Sequence, residues 1–171
     1  MSPTGAVWTE MSSPVGELTL VAERGHVTGV YFQRHRGGVD QRPGAARHGL
    51  RDDDDPLLQA VAEQLGEYFD GGRTTFVLPL APAGSQFQQR VWEALRGIGY
   101  GETVSYGEIA RRLGLLPSAS RAVGLANGAN PISIVVPCHR VIGADGSLTG
   151  YGGGLDRKRW LLDHERDDVL F

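Results

Sequence analysis

The chain is short of the residues that form disulfides and thiolate metal sites. Among its 171 residues, Cys138 is the only cysteine. A single cysteine excludes an internal disulfide and any zinc site that needs several thiolates. Cys138 is therefore either a reactive thiol or an inert member of the core, and we expect it in a reducing cytoplasm.

Long apolar runs and targeting segments are missing as well. The chain has no run of 18 apolar residues and no charged segment followed by an apolar one at its N-terminus. We therefore expect a cytoplasmic protein that does not enter a membrane.

Lysine is almost absent, because every basic residue except Lys158 is an arginine. The net charge is −3, yet residues 85–165 carry nine basic and seven acidic groups, a balance that permits phosphate contacts without demonstrating them.

The N-terminal part of the chain has the pattern of an antiparallel meander. Three strands are predicted at 7–11, 16–22 and 26–32, where apolar residues alternate or run together between turns that contain glycine. Residues 33–55 break this pattern and predict a long loop. The acidic run at 52–55 admits a metal site, but a solvated loop that ends in a helix cap explains it more simply.

A helix and a short strand complete the first domain. Asp55 suits an N-cap and Pro56 the first helical position, and the apolar residues that follow fall on one helical face. Residues 75–80 predict a strand bounded by prolines. Strands covered by one helix make a small α+β domain, which we place at residues 1–83.

The second domain, residues 84–171, is predicted to be mainly helical. Ser85 with Gln88, and Ser105 with Glu108, have the spacing of capping boxes. Each box predicts a helix that begins directly after its serine.

A further helix, capped by Ser118 and ending near Gly128, follows a tight turn, so that the last two helices have the pattern of a helix-turn-helix. Other helical domains contain such pairs too. The second helix of the pair carries almost no long polar side chain except Arg121. A helix that discriminates bases in the major groove needs Arg, Asn or Gln side chains on its exposed face. Small residues instead allow the helix to approach a groove closely and without sequence preference, with Arg121 entering the base stack. Packing of the small residues against another helix also explains the pattern.

The apolar run at 132–136 predicts a strand that delivers Pro137, Cys138 and His139 to a pocket. A thiol attacks as the thiolate, and a free cysteine has a pKa of about 8.5, so either something lowers that pKa or a base removes the proton. His139 is the neighbouring base, but adjacent side chains of extended backbone point to opposite faces, so the two meet only at a turn or through a water. Any carboxylate could orient the imidazole. A buried structural cysteine is the alternative.

Six spaced motifs resemble the O6-alkylguanine-DNA alkyltransferases, in that family's order. The resemblance covers roughly residues 85–165 and is highly specific, while the N-terminal half is similar to the family's ribonuclease-H-like domain in a looser way. The motifs are Phe87-Gln88-Gln89-Arg90-Val91-Trp92, Tyr100-Gly101-Glu102-Thr103, Ser105-Tyr106, Ser120-Arg121-Ala122-Val123-Gly124, Asn130-Pro131 with Pro137-Cys138-His139-Arg140-Val141, and Tyr151-Gly152-Gly153-Gly154-Leu155. The implied fold class is α+β: a small N-terminal ribonuclease-H-like α/β domain and a mainly helical C-terminal domain with a helix-turn-helix.

The resemblance implies a catalytic set around Cys138, which is the alkyl acceptor. His139 takes the thiol proton through a water, and Glu165 orients and charges His139. Asn130 braces the active-site turn. Tyr106 donates a hydrogen bond to the guanine and so stabilises the negative charge that develops as the base leaves.

The resemblance also implies how DNA is held. The partner is double-stranded DNA that contains O6-alkylguanine, bound through its minor groove. Arg121 occupies the gap left when the damaged nucleotide is rotated out of the duplex. Other groups of the same helix contact the groove, and a second set lines the base pocket. The helix residues are Ala122, Gly124 and Ala126, and the pocket residues are Val141, Tyr151, Gly152 and Gly153.

An alkyl group on sulfur forms a thioether, which has no carbonyl for water to attack. We therefore expect one transfer per molecule, with no cofactor. The single cysteine predicts no zinc site of the kind that some relatives carry in the N-terminal domain. Ser133 stands where some relatives have a second proline, so the width of the pocket is left open. We expect a monomer in solution that can cluster on DNA.

Two other functions compete with this one. A cysteine hydrolase built on Cys138 and His139 predicts many turnovers and no stable adduct. A non-catalytic binder of alkylated DNA is the second alternative, and the presence of Cys138 argues against it, because such binders lack the acceptor cysteine.

Overall fold

The computed structural model describes residues 5–33, 49–151 and 153–166. These residues form two compact units, the first ending at Pro82 and the second beginning at Ala83. Within the described ranges, no helix is both long enough and apolar enough to cross a bilayer. The structure contains helices and strands in both units, in agreement with the predicted α+β class.

The first unit is built on a four-stranded sheet. The order is β3-β2-β1-β4, with β1–β2 and β2–β3 antiparallel and β4 parallel to β1. The strands are β1 (Ala6–Met11), β2 (Leu18–Glu23), β3 (His26–Phe32) and β4 (Leu50–Arg51). The predicted meander is confirmed.

Strand β4 lies inside the segment 33–55, which was predicted as loop throughout, so that prediction is wrong at β4. Residues 34–48 of the same segment lie outside the described residues. The guanidinium of Arg51 donates to Glu10 at 3.0 Å and stacks over the Trp8 ring with 5.1 Å to its centroid. These contacts attach β4 to β1, and neither has a signature in the local sequence.

Helix α1 (Pro56–Phe69) covers the sheet of the first unit. The Asp55 carboxylate accepts a hydrogen bond from the Leu58 amide at 3.0 Å, and Pro56 occupies the first turn, so the predicted cap is confirmed. The helix buries one apolar face against the strands, and each such side chain contributes about 1.5–3 kcal/mol when fully buried. The buried residues are Leu58, Val61, Leu65 and Tyr68.

The strand predicted at 75–80 is wrong. The segment makes only an isolated parallel bridge, between Leu80 and Val27. The Gln64 side chain accepts from the Val77 amide at 2.9 Å and donates to the Val77 carbonyl at 3.1 Å. The backbone groups of Val77 are thus satisfied by a helix side chain. Pro79, which has no N–H, also prevents a continuous ladder.

The second unit is mainly helical, with one short parallel strand pair. Its helices are α2 (Gln86–Leu95), α3 (Tyr106–Arg112), α4 (Ser120–Gly128) and α5 (Leu155–Arg166). The strands β5 (Val104–Ser105) and β6 (Val141–Ile142) pair in parallel. The capping box of Ser85 and Gln88 is confirmed in both directions, with hydrogen bonds of 3.1 and 2.9 Å.

The second predicted capping box is formed only in part. The Ser105 hydroxyl accepts from the Glu108 amide at 3.0 Å. The Glu108 carboxylate does not return to the Ser105 amide but pairs with Arg111 and with Arg112, the latter at 3.1 Å. Two cations one turn further along the helix attract this carboxylate away from the N-terminus.

The predicted cap of α4 is wrong by one residue. A short 3-10 turn, Pro117–Ala119, precedes the helix, and Ala119 stands at the N-cap without a side-chain hydrogen bond. The Ser120 hydroxyl donates to the Pro117 carbonyl at 2.6 Å. Pro117 favours a tight turn here, so the helix starts later than Ser118 would place it.

Trp92 on α2 holds the helix-turn-helix together. It is buried, and its indole N–H donates to the Ala126 carbonyl near the end of α4 at 2.8 Å. Arg90, also on α2, donates to the Leu113 carbonyl at the end of α3 at 2.9 Å. One helix therefore contacts both members of the pair and sets their relative position.

Candidate active site around Cys138

The segment before Cys138 is a tight turn, so the strand predicted at 132–136 is wrong. The Val136 amide donates to the Ile132 carbonyl at 3.0 Å, and the Val135 amide to the Ser133 carbonyl at 2.8 Å. Ile134 has φ of 71°, which is left-handed and rare for a β-branched residue. The apolar side chains face the core as the prediction required, but the backbone folds back on itself.

Asn130 braces this turn. Its amide nitrogen donates to the Val136 carbonyl at 2.8 Å and to the Ile132 carbonyl at 3.3 Å, and its oxygen accepts from the Ile132 amide at 3.0 Å. These bonds replace the ladder partners that a strand would need. A left-handed residue that is not glycine costs about 1–3 kcal/mol, and the Asn130 bonds offset part of that cost.

Cys138 follows the turn and begins a single 3-10 turn, Cys138–Arg140. The thiol is buried, and burial raises its pKa, against the lowering effects of the Asn130 side chain, the Lys158 charge and the Tyr151 side chain. The resting side chain is therefore a neutral thiol at pH 7. It must lose its proton when it attacks, and a base must be present to receive it.

His139 has the form of such a base. It is fully buried, and its Nε2 donates to a Glu165 carboxylate oxygen at 2.7 Å. Because an ionised carboxylate only accepts, Nε2 carries the hydrogen and Nδ1 carries the lone pair. Nδ1 is buried and has no hydrogen-bond partner among the described residues. Burial lowers the pKa of His139, opposed by Glu165, so the ring is neutral and Nδ1 is able to accept a proton.

Arg140 completes the network and was not foreseen. It donates to the two carboxylate oxygens of Glu165 at 2.8 and 3.0 Å, and to the Ile98 carbonyl at 2.7 Å. Although burial opposes ionisation, the hydrogen bonds from His139 and Arg140 hold the pKa of Glu165 well below its ordinary value. Glu165 is thus a permanent anion in contact with His139. The direct succession of His139 and Arg140 in the sequence was the available signal.

Tyr106 is brought to the same region by the β5–β6 pair, which sets Ser105 opposite Ile142. The Tyr106 hydroxyl donates to the Thr149 carbonyl at 3.3 Å and accepts from the Thr149 hydroxyl at 3.2 Å. A guanine that binds this hydroxyl must therefore displace a loop contact.

Lys158 is a second residue that the sequence patterns did not assign to the site. It is fully buried, and its ammonium donates to the Val141 carbonyl at 2.6 Å and to the Thr149 carbonyl at 2.8 Å. Burial lowers its pKa to about 8, opposed by the attraction of a Cys138 thiolate. The ammonium also lies 6.0 Å from the centroid of the Tyr106 ring. The sequence offered one indication that Lys158 is special, namely that it is the single lysine of the chain.

The predicted pocket residues lie in different environments. Val141 is fully buried, and Tyr151 is half-buried, with a side chain that acts on the pKa of Cys138. The Gly153 carbonyl accepts from Arg157 at 3.2 Å. The predicted contact at Gly152 lies outside the described residues.

The exposed face of α4 contains only part of the set predicted for DNA contact. Arg121 and Ala122 are exposed. Gly124 is half-exposed, and a methyl group at its Cα would lie 3.7 Å from the Tyr106 ring. Ala126 is buried, and its carbonyl already accepts the Trp92 indole. The Ala126 side chain therefore does not lie on the exposed face of α4, and its contact with DNA stays a prediction.

Two domain families, which both belong to 6-O-methylguanine DNA methyltransferase, together match nearly the whole chain. The 6-O-methylguanine DNA methyltransferase ribonuclease-like domain matches residues 6–82, and the DNA-binding domain of the same description matches residues 86–167. A methylated-DNA–protein-cysteine methyltransferase of Mycolicibacterium paratuberculosis is 54% identical over 91% of this chain and 90% of its own. One from Haemophilus influenzae is 43% identical over 95% and 88%.

Solved structures give the same picture. The Mycobacterium tuberculosis O6-methylguanine methyltransferase superposes with a TM-score of 0.84 at 46% identity, covering 94% of this chain and 93% of that one. A Mycobacterium tuberculosis OGT crystallised in complex with DNA has a TM-score of 0.83 at 46% identity, covering 94% and 92%.

Proposed function

This chain belongs to the 6-O-methylguanine DNA methyltransferase family, and from its site we propose how it carries out the family reaction. The reaction is DNA repair by direct transfer of an alkyl group from damaged DNA to a cysteine of the protein. Cys138 is the only cysteine in the chain. That observation supports Cys138 as the acceptor, because no other residue here can supply the thiol.

The first step is the activation of Cys138. We propose that the thiol proton moves to Nδ1 of His139, directly or through a water. The imidazole becomes a cation in contact with the Glu165 anion, 2.7 Å from Nε2. Arg140 keeps that carboxylate ionised. The pair therefore accepts the proton without leaving an uncompensated charge in a buried site.

The second step is the transfer itself. The sulfur of Cys138 attacks the alkyl carbon, a C–S bond forms, the C–O6 bond breaks, and its electron pair remains on the guanine. The Tyr106 hydroxyl turns from Thr149 to the base and stabilises this charge, which is the role of an oxyanion donor. The guanine anion then takes up one proton from solvent, and the His139 imidazolium releases one to solvent, so protons and charge balance. Carbonyls have two lone pairs, so the Val141 carbonyl keeps one for the base while Lys158 occupies the other.

DNA is the partner, and we propose that the lesion is O6-alkylguanine reached from the minor groove. Arg121 stands exposed on α4 and is long enough to fill the gap of a flipped nucleotide. Ala122 and Gly124 beside it allow the helix backbone to approach the groove. We also propose that the protein acts as a cytoplasmic monomer that can cluster on DNA.

The product accounts for a single turnover. Transfer leaves a thioether on Cys138. A thioether has no carbonyl carbon that water could attack, so it is not hydrolysed. The described site contains no second thiol that could remove the alkyl group, since the chain has one cysteine. Each molecule is thus consumed by one lesion.

Intact-protein mass spectrometry tests this function. We would incubate the protein with a duplex that contains one O6-methylguanine and weigh the protein. We expect one added methyl group, located on Cys138, in no more than one equivalent. Cys138→Ser should bind the duplex without gaining mass. Repaired DNA without an adduct would favour the hydrolase, and binding without transfer by the wild type would favour the lesion binder.

A further inference from the structure

Arg157 is a buried arginine in the first turn of α5, beside the predicted base pocket. It is 9% exposed, and one guanidinium nitrogen donates to the Gly153 carbonyl at 3.2 Å. The Gly154 amide donates to the Tyr151 carbonyl at 2.9 Å. Gly153 thus lies in a tight turn, the pocket turn (151–154), which leads from Tyr151 into the helix. Arg157 attaches this turn to the body of α5.

Helix stability does not account for a buried arginine at this position. Arginine stays charged in proteins, and burial lowers the pKa of Arg157, so its surroundings disfavour the charge. A cation in the first turn also opposes the helix macrodipole, which favours anions at the N-terminus. Methionine would fill similar space without either cost. The contact with the pocket turn supplies a reason for the guanidinium.

The pocket turn is short of side chains that could hold it in place. Gly153 and Gly154 have none, and Gly154 has φ of 91°, a left-handed value that suits glycine. Glycine also loses more conformational freedom on ordering than any other residue. A hydrogen bond from a charged donor is among the stronger contacts that can offset this loss. The turn therefore depends on contacts from outside it, and Arg157 provides one.

The pocket turn also carries Tyr151, which lies near the acceptor. The Tyr151 side chain lowers the pKa of the Cys138 thiol. The negative charge of an ionised Tyr151 would raise the pKa of Arg157. Tyr151 is therefore close to both the thiol and the guanidinium. Its position sets how much room remains beside the sulfur for an alkyl group.

We propose that Arg157 is a positioning residue that fixes the pocket turn and thereby determines which size of alkyl group the site accepts. The proposal rests on the function proposed above. A turn held by Arg157 keeps Tyr151 against a small alkyl group and restricts the space for a large one. Without the guanidinium this wall should yield, so that a methyl group is held less well and a benzyl group is accommodated more easily.

The test uses Arg157→Met, which removes the donor and the charge and keeps most of the side-chain volume. Single-turnover transfer is measured with two duplexes of one sequence, which contain O6-methylguanine or O6-benzylguanine. The duplexes have equal charge, so a general loss of DNA affinity cancels in the ratio of the two rate constants. We expect the ratio of methyl to benzyl transfer to fall about tenfold, which is what the loss of one hydrogen bond to a charged group amounts to.

Two further variants control this test. Arg157→Lys keeps a cationic donor for the carbonyl, so it should restore most of the wild-type ratio. Arg159→Met is the matched control, because it removes an exposed arginine two residues further along the same helix, and it should leave the ratio unchanged. The urea midpoint of Arg157→Met should equal or exceed that of the wild type, because a buried charge is removed.

A wild-type ratio in Arg157→Met would overturn the proposal. An equal fall of both rates with a lower urea midpoint would also overturn it, because that result indicates a purely structural role. The same holds if Arg157→Lys behaves like Arg157→Met, or if Arg159→Met shifts the ratio equally. Failure of the proposed function itself is distinguishable, because the wild-type protein would then gain no alkyl group from either duplex.

Discussion

Replacing Glu165 with glutamine removes the charge at the centre of the buried network and keeps the shape of the side chain. Glu165 is 1% exposed and accepts hydrogen bonds from His139 at 2.7 Å and from Arg140 at 2.8 and 3.0 Å. The substitution leaves the Arg140 cation buried without its anion, with the Ile98 carbonyl as its other hydrogen-bond acceptor among the described residues. It also leaves His139 without an anion to stabilise its protonated form.

The substitution is expected to lower both the folding free energy and the rate of transfer, and the size of each effect can be estimated. Removing one partner of a buried ion pair costs about 3–5 kcal/mol of folding free energy. A hydrogen bond to a charged group contributes about 1.5–3 kcal/mol, and each 1.36 kcal/mol is tenfold in rate. If that contribution is made to the transition state, transfer should slow between roughly 10-fold and 150-fold.

The assay separates the two effects with a second variant. Urea unfolding gives the stability, and single-turnover reaction with O6-benzylguanine, followed by intact mass at a temperature where each variant is folded, gives the rate. Arg140→Met combined with Glu165→Gln removes the unpaired cation. We expect this double variant to be more stable than Glu165→Gln alone, because no buried charge is left uncompensated. Its transfer should remain slow, because His139 still lacks the carboxylate.

The pH dependence of stability follows from the same contact. The pKa of Glu165 is lowered in the folded protein, so its stabilisation is fully present above the ordinary carboxyl pKa of 4.5 and is lost as the pH falls toward the folded value. Glu165→Gln should lack this acid-dependent loss. Transfer at the wild-type rate by Glu165→Gln would refute the role assigned to the carboxylate. Recovery of the rate in the double variant would show that Glu165 acts only through stability.

Three further substitutions have defined outcomes. Arg121→Ala should slow transfer from duplex DNA by at least about tenfold and leave transfer from free O6-benzylguanine unchanged, because only the duplex needs its base rotated out; equal effects on both substrates would contradict the flipping role. The pKa of Lys158 is about 8 in the folded protein rather than 10.5, so between pH 8 and 10.5 the unfolded chain binds one more proton and the free energy of unfolding rises with pH. Urea unfolding of a Cys138→Ser parent should show this rise, and adding Lys158→Met should abolish it. The fall of the pKa from 10.5 to about 8 corresponds to a rise of about 3.4 kcal/mol in the Cys138→Ser parent, and its persistence in Lys158→Met would assign it to another group. Ser85→Ala should cost about 1 kcal/mol of unfolding free energy through the lost N-cap, with the transfer rate unaffected; a slower transfer would link the start of α2 to the site.

Local chemistry accounts for the elements that the sequence patterns placed correctly. The meander follows from apolar runs between glycine turns, and the starts of α1 and α2 follow from Asp55 with Pro56 and from Ser85 with Gln88. In each case the stabilising partner lies within a few residues. Such signals can be read without knowledge of the fold.

In the two segments wrongly predicted as strands, 75–80 and 132–136, the local sequence pattern did not reveal the hydrogen-bond partners of the backbone. Both segments are apolar and bounded by proline, which is typical of short strands. Their backbone groups bond instead to the side chains of Gln64 and Asn130. A side-chain amide that competes with a strand ladder is invisible to hydrophobic periodicity.

The sequence by itself singled out the proposed acceptor and its neighbouring base, because Cys138 is the only thiol and His139 adjoins it. It determined the family as well, through motifs whose order is independent of the fold. Only the tertiary structure decided that Glu165, 26 residues from His139, is its hydrogen-bond partner, and that Arg140 and Lys158 lie in the same buried network. The physical reason is that burial and hydrogen bonding shift the pKa of a group through contacts in space, and packing brings those contacts together from distant parts of the chain.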